Sequence, residues 1–166
     1  MKKYLVFPLL AGALVLAGCG KKDEAAPTAS TPAAAPAAPA VALIEITAND
    51  SMKFSQTRFE VTAGQEVKVT LTNLGTMPKV AMGHNFVLLK KGADLKAFTD
   101  AAIMAAATDY VPAVLADQVI AHTKLLGPKQ SDEISFKAPT EPGEYPFLCS
   151  FPAHYLTGMK GVIVVK

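Results

Sequence analysis

C-S-F-P-A-H-Y-L-T-G-M, Cys149 to Met159, followed by the apolar run G-V-I-V-V, Gly161 to Val165, decides how this 166-residue chain is read. The residues before it, Glu144 to Leu148, are also strand-like, so one short loop between two strands carries a thiol, an imidazole and a thioether. Their spacing is Cys-x4-His-x4-Met. Three soft donors on such a loop can converge on one point without distorting either strand. Cys149 taken alone reads equally well as a buried, inert strand residue. The spacing turns it into a candidate metal ligand.

A second imidazole has to come from elsewhere, and His84 in M-G-H-N (residues 82–85) is placed to supply it. A lone histidine is more often a surface or core residue. Here Gly83 lets the backbone come close to a metal, so its carbonyl can lie on the axis opposite Met159. Asn85, at the head of an apolar strand, is placed to hydrogen-bond across to the Cys149 loop and hold the two ligand segments in register. Two imidazoles and a thiolate with a weak axial thioether point to a blue copper centre. Structural zinc and iron–sulfur sites would need more thiolates or more imidazoles.

Outward from the loop, the chain reads as many short strands. Alternation marks Leu43–Thr47, Arg58–Thr62 and Glu66–Asn73, and further strands are expected at Asn85–Leu89, Glu133–Ala138, Glu144–Cys149 and Gly161–Lys166. Turn residues punctuate them at Ala63-Gly64, Asn73-Leu74-Gly75, Gly127-Pro128 and Pro142-Gly143. This pattern predicts an all-β sandwich, and 126 residues from 41 to 166 suffice for one core. Between Gly92 and Asp117 the pattern changes. Ala97–Ala107 is helix-forming and Pro112 marks a break, which predicts a helical insertion between strands.

The N-terminus is of another kind. Lys2 and Lys3 precede an apolar run from Tyr4 to Val15, and Leu16-Ala17-Gly18 leads into Cys19. That is a secretory signal, residues 1–18, too short for the ~20 residues that span a bilayer. Cys after L-A-G resembles the bacterial lipobox, which implies cleavage before Cys19 and its lipidation. Residues 19–40, rich in Ala and Pro, form a tether that cannot bury enough apolar surface to fold. At ~3.1 Å per residue it reaches on the order of 60 Å. The net charge of +2 owes itself to Lys2 and Lys3, since without them basic and acidic residues both number 14. A balanced chain lacks the basic stripe that nucleic-acid binding needs. No group is placed to transform a small-molecule substrate.

Several segments together resemble the azurins, blue copper proteins of the cupredoxin class, including lipid-anchored azurins with an Ala/Pro-rich leader. They are N-D-S-M-K-F (49–54), M-P-K-V-A-M-G-H-N-F (77–86), V-I-A-H-T-K-L-L-G (119–127), Y-P-F-L-C-S-F-P-A-H (145–154) and M-K-G-V-I-V-V-K (159–166). The resemblance covers most of residues 43–166. It implies a Greek-key cupredoxin β-sandwich of about eight strands with a helical flap. It assigns copper to His84, Cys149 and His154, with Met159 as axial thioether and the Gly83 carbonyl as a distant fifth contact. Phe151 would direct a backbone N–H at the thiolate. Met52, Met77, Met82 and Pro152 would line an apolar patch around the solvent-facing edge of His154, through which electrons pass. His122 would be a surface residue.

The resemblance further implies a one-electron carrier, not an enzyme. Its partners would be c-type cytochromes, copper nitrite reductases or terminal oxidases in the periplasm or at the cell surface. Gly20 after the lipid cysteine favours the outer membrane if the cell is Gram-negative. The chain departs from azurins in four places. Tyr155-Leu156-Thr157-Gly158 puts four residues, not three, between the loop histidine and Met159, as in plastocyanin-like proteins. The core tryptophan is Phe86, the disulfide near the first strands has no cysteines, and a histidine linked to pH switching is Asn73. From the residues themselves, a copper chaperone or store, a metal-free structural lipoprotein and a cysteine hydrolase on Cys149 also stand as readings. The last lacks an orienting acid and an oxyanion hole.

Overall fold

In a computed structural model that describes residues 40–166, strands are the main regular secondary structure. The segments expected to be a signal peptide, the lipidated Cys19 and nearly all of the tether lie outside the described residues. In chain order the elements are β1 (Ala42–Asn49), β2 (Lys53–Phe54), β3 (Arg58–Val61), β4 (Glu66–Asn73), α1 (Lys79–Met82), β5 (Val87–Leu89), α2 (Leu95–Ala102), β6 (Val119–His122), β7 (Ser131–Lys137), β8 (Gly143–Leu148) and β9 (Lys160–Val165). One sheet has the order β2-β1-β4-β7 and the other β3-β9-β8-β5-β6. The chain therefore crosses between sheets repeatedly, as the expected Greek-key sandwich requires. Two pairings are parallel, β1 with β4 and β3 with β9. No described helix is long and apolar enough to cross a membrane.

The strands follow from alternation. Along β4 the residues Val67, Val69, Leu71 and Asn73 are buried and those between them are not. The inward side chains meet Ile44 and Ile46 of β1 and Tyr145, Phe147, Ile163 and Val165 of the other sheet in one core. Phe147 sits at its centre, within 4.9 Å of the Phe86 ring and 5.5 Å of Phe54. Burying each such ring stabilises the fold by about 2–3 kcal/mol. Gly161 on β9 passes so close to this ring that an added Cβ would lie 2.3 Å from Phe147 Cζ and 2.4 Å from the Thr57 carbonyl.

The insertion is helical but shorter than the Ala-rich composition suggested. Its helix α2 ends at Ala102, not Ala107, and starts earlier because the Asp94 carboxylate accepts from the Ala97 N–H at 3.0 Å. Beyond α2 the chain makes a 3-10 turn at Ala106–Thr108 and then places Asp109 and Tyr110 successively in the left-handed region, with φ of 55° and 61°. A second 3-10 segment, Ala113–Gln118, follows Pro112 and leads into β6. That strand was not expected. It pairs with β5 and closes the edge of the second sheet.

Candidate metal centre

His84 arrives on a short strap. After Pro78 the single-turn helix α1 runs to Met82, and Gly83 turns the chain outward in an extended conformation. A side chain at Gly83 would press within 2.8 Å of the Lys79 carbonyl and 2.9 Å of Leu125, so glycine alone lets this strap close. His84 is then locked by a two-way backbone bridge. Its N–H donates to the Leu126 carbonyl at 3.1 Å, and the Leu126 N–H returns to the His84 carbonyl at 2.8 Å.

The neighbouring Asn85 is fully buried and spends its amide on the other ligand segment. Its Oδ1 accepts from the Ser150 N–H at 2.9 Å, and its Nδ2 donates to Ser150 Oγ at 2.8 Å and to the Asp109 carbonyl at 2.8 Å. The His84 strap and the Cys149 loop are therefore held together by one side chain.

The loop itself folds back on its own ends. The Cys149 N–H donates to the Met159 carbonyl at 3.1 Å, and the Met159 N–H to the His154 carbonyl at 3.0 Å. Between them the four residues Tyr155–Gly158 make a helical turn, with Thr157 N–H bonded to the Ala153 carbonyl and Gly158 N–H to the Tyr155 carbonyl. The added residue is thus absorbed as a turn within the loop. Ala153 adopts φ 68°, a left-handed position that aims His154 inward.

The result brings His84, Cys149 and His154 together, with their ligand atoms within 4.8 Å of one another and all three residues buried. Cys149 Sγ lies 3.4 Å from His154 Nδ1, and the two imidazole rings are 4.9 Å apart. Met159 is buried in the same core as Cys149 and Phe151. Neither nitrogen of the His84 ring has a hydrogen-bond partner. Buried polar atoms are rarely left so, and a metal ion held at one of these nitrogens would account for that one. A thiol, two imidazoles and a thioether are the donor set that suits copper.

The electrostatics agree with a site made for a cation. Burial pushes the Cys149 thiol up to about 12, although the backbone N–H groups of Asn85 and Phe151 favour the thiolate. Burial pushes His154 down to about 4, with the His84 ring adding to it. His84 is lowered too, chiefly by burial, against the opposing pull of Asp50 and of the Asn49 carbonyl, which does not reach hydrogen-bonding geometry. Near neutral pH the pocket is therefore an uncharged thiol with two uncharged imidazoles, ready to exchange a proton for a metal.

The outer residues are less uniform. Met77 is 41 % exposed, Met82 and Pro152 are half-buried, and Met52 packs against the core. The expected solvent-facing edge of His154 is almost closed, since only 2 % of that residue is exposed. His122 is exposed on β6, where the pairing sets it opposite Val87 of β5, and it is not among the clustered donors. Sequence reasoning missed Leu156, 77 % exposed within the ligand loop itself. It also missed Lys53, whose ammonium caps the Thr157 carbonyl, and Asp50, whose carboxylate accepts from Thr76 N–H, Thr76 Oγ1 and the Met77 N–H. An apolar residue amid Thr and Gly in the turn was a signal for Leu156. The other two are tertiary contacts without a local signal.

Comparison with known proteins places this geometry. Residues 40–166 match the model for copper-binding proteins of the plastocyanin/azurin family. The chain is 37 % identical to azurin from Alcaligenes faecalis over 123 residues, 72 % of this chain and 94 % of that protein. It is 37 % identical to outer membrane protein H.8 of Neisseria meningitidis serogroup B over an alignment of 176 positions that covers 93 % of each. Among solved structures, dithionite-reduced auracyanin from Roseiflexus castenholzii superposes with a TM-score of 0.67 at 41 % identity, covering 75 % of this chain and 96 % of that one. Buried donors, sandwich and sequence agree, and the chain belongs to the plastocyanin/azurin family of copper-binding cupredoxins.

Proposed function

We propose that this protein is a membrane-tethered, one-electron carrier in which His84, Cys149 and His154 hold copper, with Met159 as the axial donor and the Gly83 carbonyl opposite it. The observation that carries the reading is the buried trio of donors, Cys149 Sγ 3.4 Å from His154 Nδ1 and His84 with both ring nitrogens unpaired. The copper ion supplies a reversible one-electron couple, because thiolate and thioether suit Cu(I) while imidazole suits both states. The chain's own contribution is rigidity. Asn85 and the paired backbone bonds at His84 and Met159 fix the donors, so little has to move when the charge changes.

Burial excludes water, and the filled donor set leaves no open position for a substrate, which separates a carrier from a metalloenzyme. Met77, Met82, Pro152 and the exposed Leu156 suit brief, largely apolar encounters of the small kind found among redox partners. Cytochromes of the c type, copper nitrite reductases and terminal oxidases are the proposed partner classes. The Cys19 lipid anchor, the signal peptide 1–18 and the tether 19–40 place the domain on a membrane facing the periplasm or exterior. An alignment with an outer membrane protein over nearly the whole chain supports that location.

The test is absorption and EPR spectroscopy of the purified protein loaded with Cu(II). An intense thiolate-to-copper charge-transfer band with narrow copper hyperfine splitting is the expected result. An ordinary tetragonal Cu(II) spectrum without that band means that Cys149 is not bound, and the carrier reading fails. For the anchor, Cys19→Ser is expected to abolish incorporation of labelled fatty acid and to leave the precursor uncleaved.

A further inference from the structure

The helical insertion does more than cover one face of the sandwich. Asp109 and Tyr110 at its end occupy the left-handed region one after the other, which side-chain-bearing residues adopt only where their surroundings hold them. What holds them is the metal centre. The Asp109 carbonyl accepts from Asn85 Nδ2, the same amide that grips Ser150. The Asp109 carboxylate lies 3.7 Å from Lys79 on the strap that carries His84. The Tyr110 ring meets Phe151 edge-on at 5.0 Å, and Phe151 in turn lies 4.7 Å from the His154 ring. From behind, the Tyr110 N–H is tied to the Ala105 carbonyl at 2.9 Å.

We propose that Tyr110 is a positioning residue for the metal site: it presses Phe151 against His154 and so sets the ligand loop relative to Cys149. Asp109 and Tyr110 together join the insertion to the strap, to Asn85 and, through the Tyr110 ring, to the ligand loop. Phe151 is the lever because it faces both ligands. Its ring lies tilted against that of His154, and its backbone follows Cys149 by two residues, with the Phe151 carbonyl accepting from the His154 N–H at 3.1 Å. A Tyr110 side chain that no longer fills its place leaves Phe151 free to tilt, and both donors follow. The insertion thereby tunes a centre to which it contributes no ligand.

The spectroscopic arm rests on copper occupying the proposed site; the other arm does not. Full-length protein with Tyr110→Leu is compared with Tyr110→Phe and the unaltered chain. With Cu(II) bound, Tyr110→Leu is expected to change the intensity ratio of the two thiolate charge-transfer bands and the rhombicity of the EPR signal. In the copper-free protein, exchange of the Ser150 and Met159 amides is expected to quicken roughly fivefold, as loss of one aromatic pair implies. Tyr110→Phe, which keeps the ring, is expected to match the unaltered protein in both. The proposal is overturned if Tyr110→Leu leaves both readouts unchanged, or if Tyr110→Phe is as altered as Tyr110→Leu. It is also overturned if amides throughout the core quicken equally, which denotes general destabilisation. A missing blue spectrum in the unaltered protein would sink the copper reading, while the exchange measurement would still decide the role of Tyr110.

Discussion

Lowering the pH should weaken Cu(I) binding by one factor of ten per unit near neutrality, and the structure says why. The Cys149 thiol, 0 % exposed, is pushed up to about 12 from an ordinary 9.0. His154 is pushed down to about 4, and His84 moves in the same direction. At pH 7 the empty pocket therefore carries one proton that a metal must displace, the thiol's, and none on either imidazole. Five units between pH 7 and the thiol value correspond to about 7 kcal/mol withheld from the affinity of the bare thiolate, of which about 4 kcal/mol is the work of burial. Affinity measured by competition with a Cu(I) chelator of known proton binding should then give a slope of one in log Kd per pH unit between pH 7 and 9. Towards pH 4 the slope should steepen as His154 begins to hold a proton too. A flat profile between pH 7 and 9 would show the thiol already ionised in the empty site. A slope of two there would show a charged imidazole. Either result refutes the reasoning.

The same imidazoles govern the copper-free fold. Their folded values lie below 6.5, so the stability that they contribute is present above that pH and is lost as pH falls toward about 4. For His154 alone the loss approaches about 3 kcal/mol, and urea unfolding midpoints at pH 7 and pH 4.5 that coincide would contradict it. Asn85→Leu removes three hydrogen bonds, two of them buried, and strands the Ser150 N–H, so it should cost about 2–4 kcal/mol by chemical denaturation; a loss under ~1 kcal/mol would show that the bridge is dispensable. Lys53 holds a positive charge on the Thr157 carbonyl, two residues before Met159. Lys53→Met should lower the copper reduction potential by a few tens of millivolts at low salt and by less at high salt, whereas an unchanged potential removes Lys53 from the site. Asn73 donates to the Leu126 carbonyl and accepts from the Gly75 N–H, with no titrating group in place of the family histidine. The potential should change little with pH between 5 and 9, and a voltammetric slope near 59 mV per unit, one proton per electron, would count against it.

The strongly alternating strands were legible because each of their residues has only two faces to choose from. Glu66–Asn73 was read with the bounds that the structure gives it. β6 was not, since Val119–His122 has four half-buried or exposed residues and its partner lies thirty residues upstream. The helix was overextended because alanine propensity carried the reading past Ala102, where the chain tightens into 3-10 geometry, and the Asp94 start signal went unused. The donors were legible through their chemistry: thiol, imidazole and thioether at fixed spacing are rare on one loop. What positions them was largely hidden. Asn85 has a local clue in its place beside His84, but Lys53 meets Thr157 across 104 residues and Tyr110 meets Phe151 from a separate element 41 residues earlier in the chain. Such contacts exist only once the sheets have closed. The near-burial of His154 has the same origin, because the packing around the loop, not the loop's own composition, sets its exposure.

The position of β9 has a consequence for when the protein becomes itself. It lies inside its sheet, parallel to β3 on one side and antiparallel to β8 on the other, and it directly follows the ligand loop. Until residues 160–165 are in place, Val61 and Tyr145 lack the strand between them, and Met159 has no anchor. A chain emerging N-terminus first can neither close its second sheet nor assemble its metal pocket halfway through. Closure of the second sheet and completion of the metal pocket therefore both depend on residues 160–165.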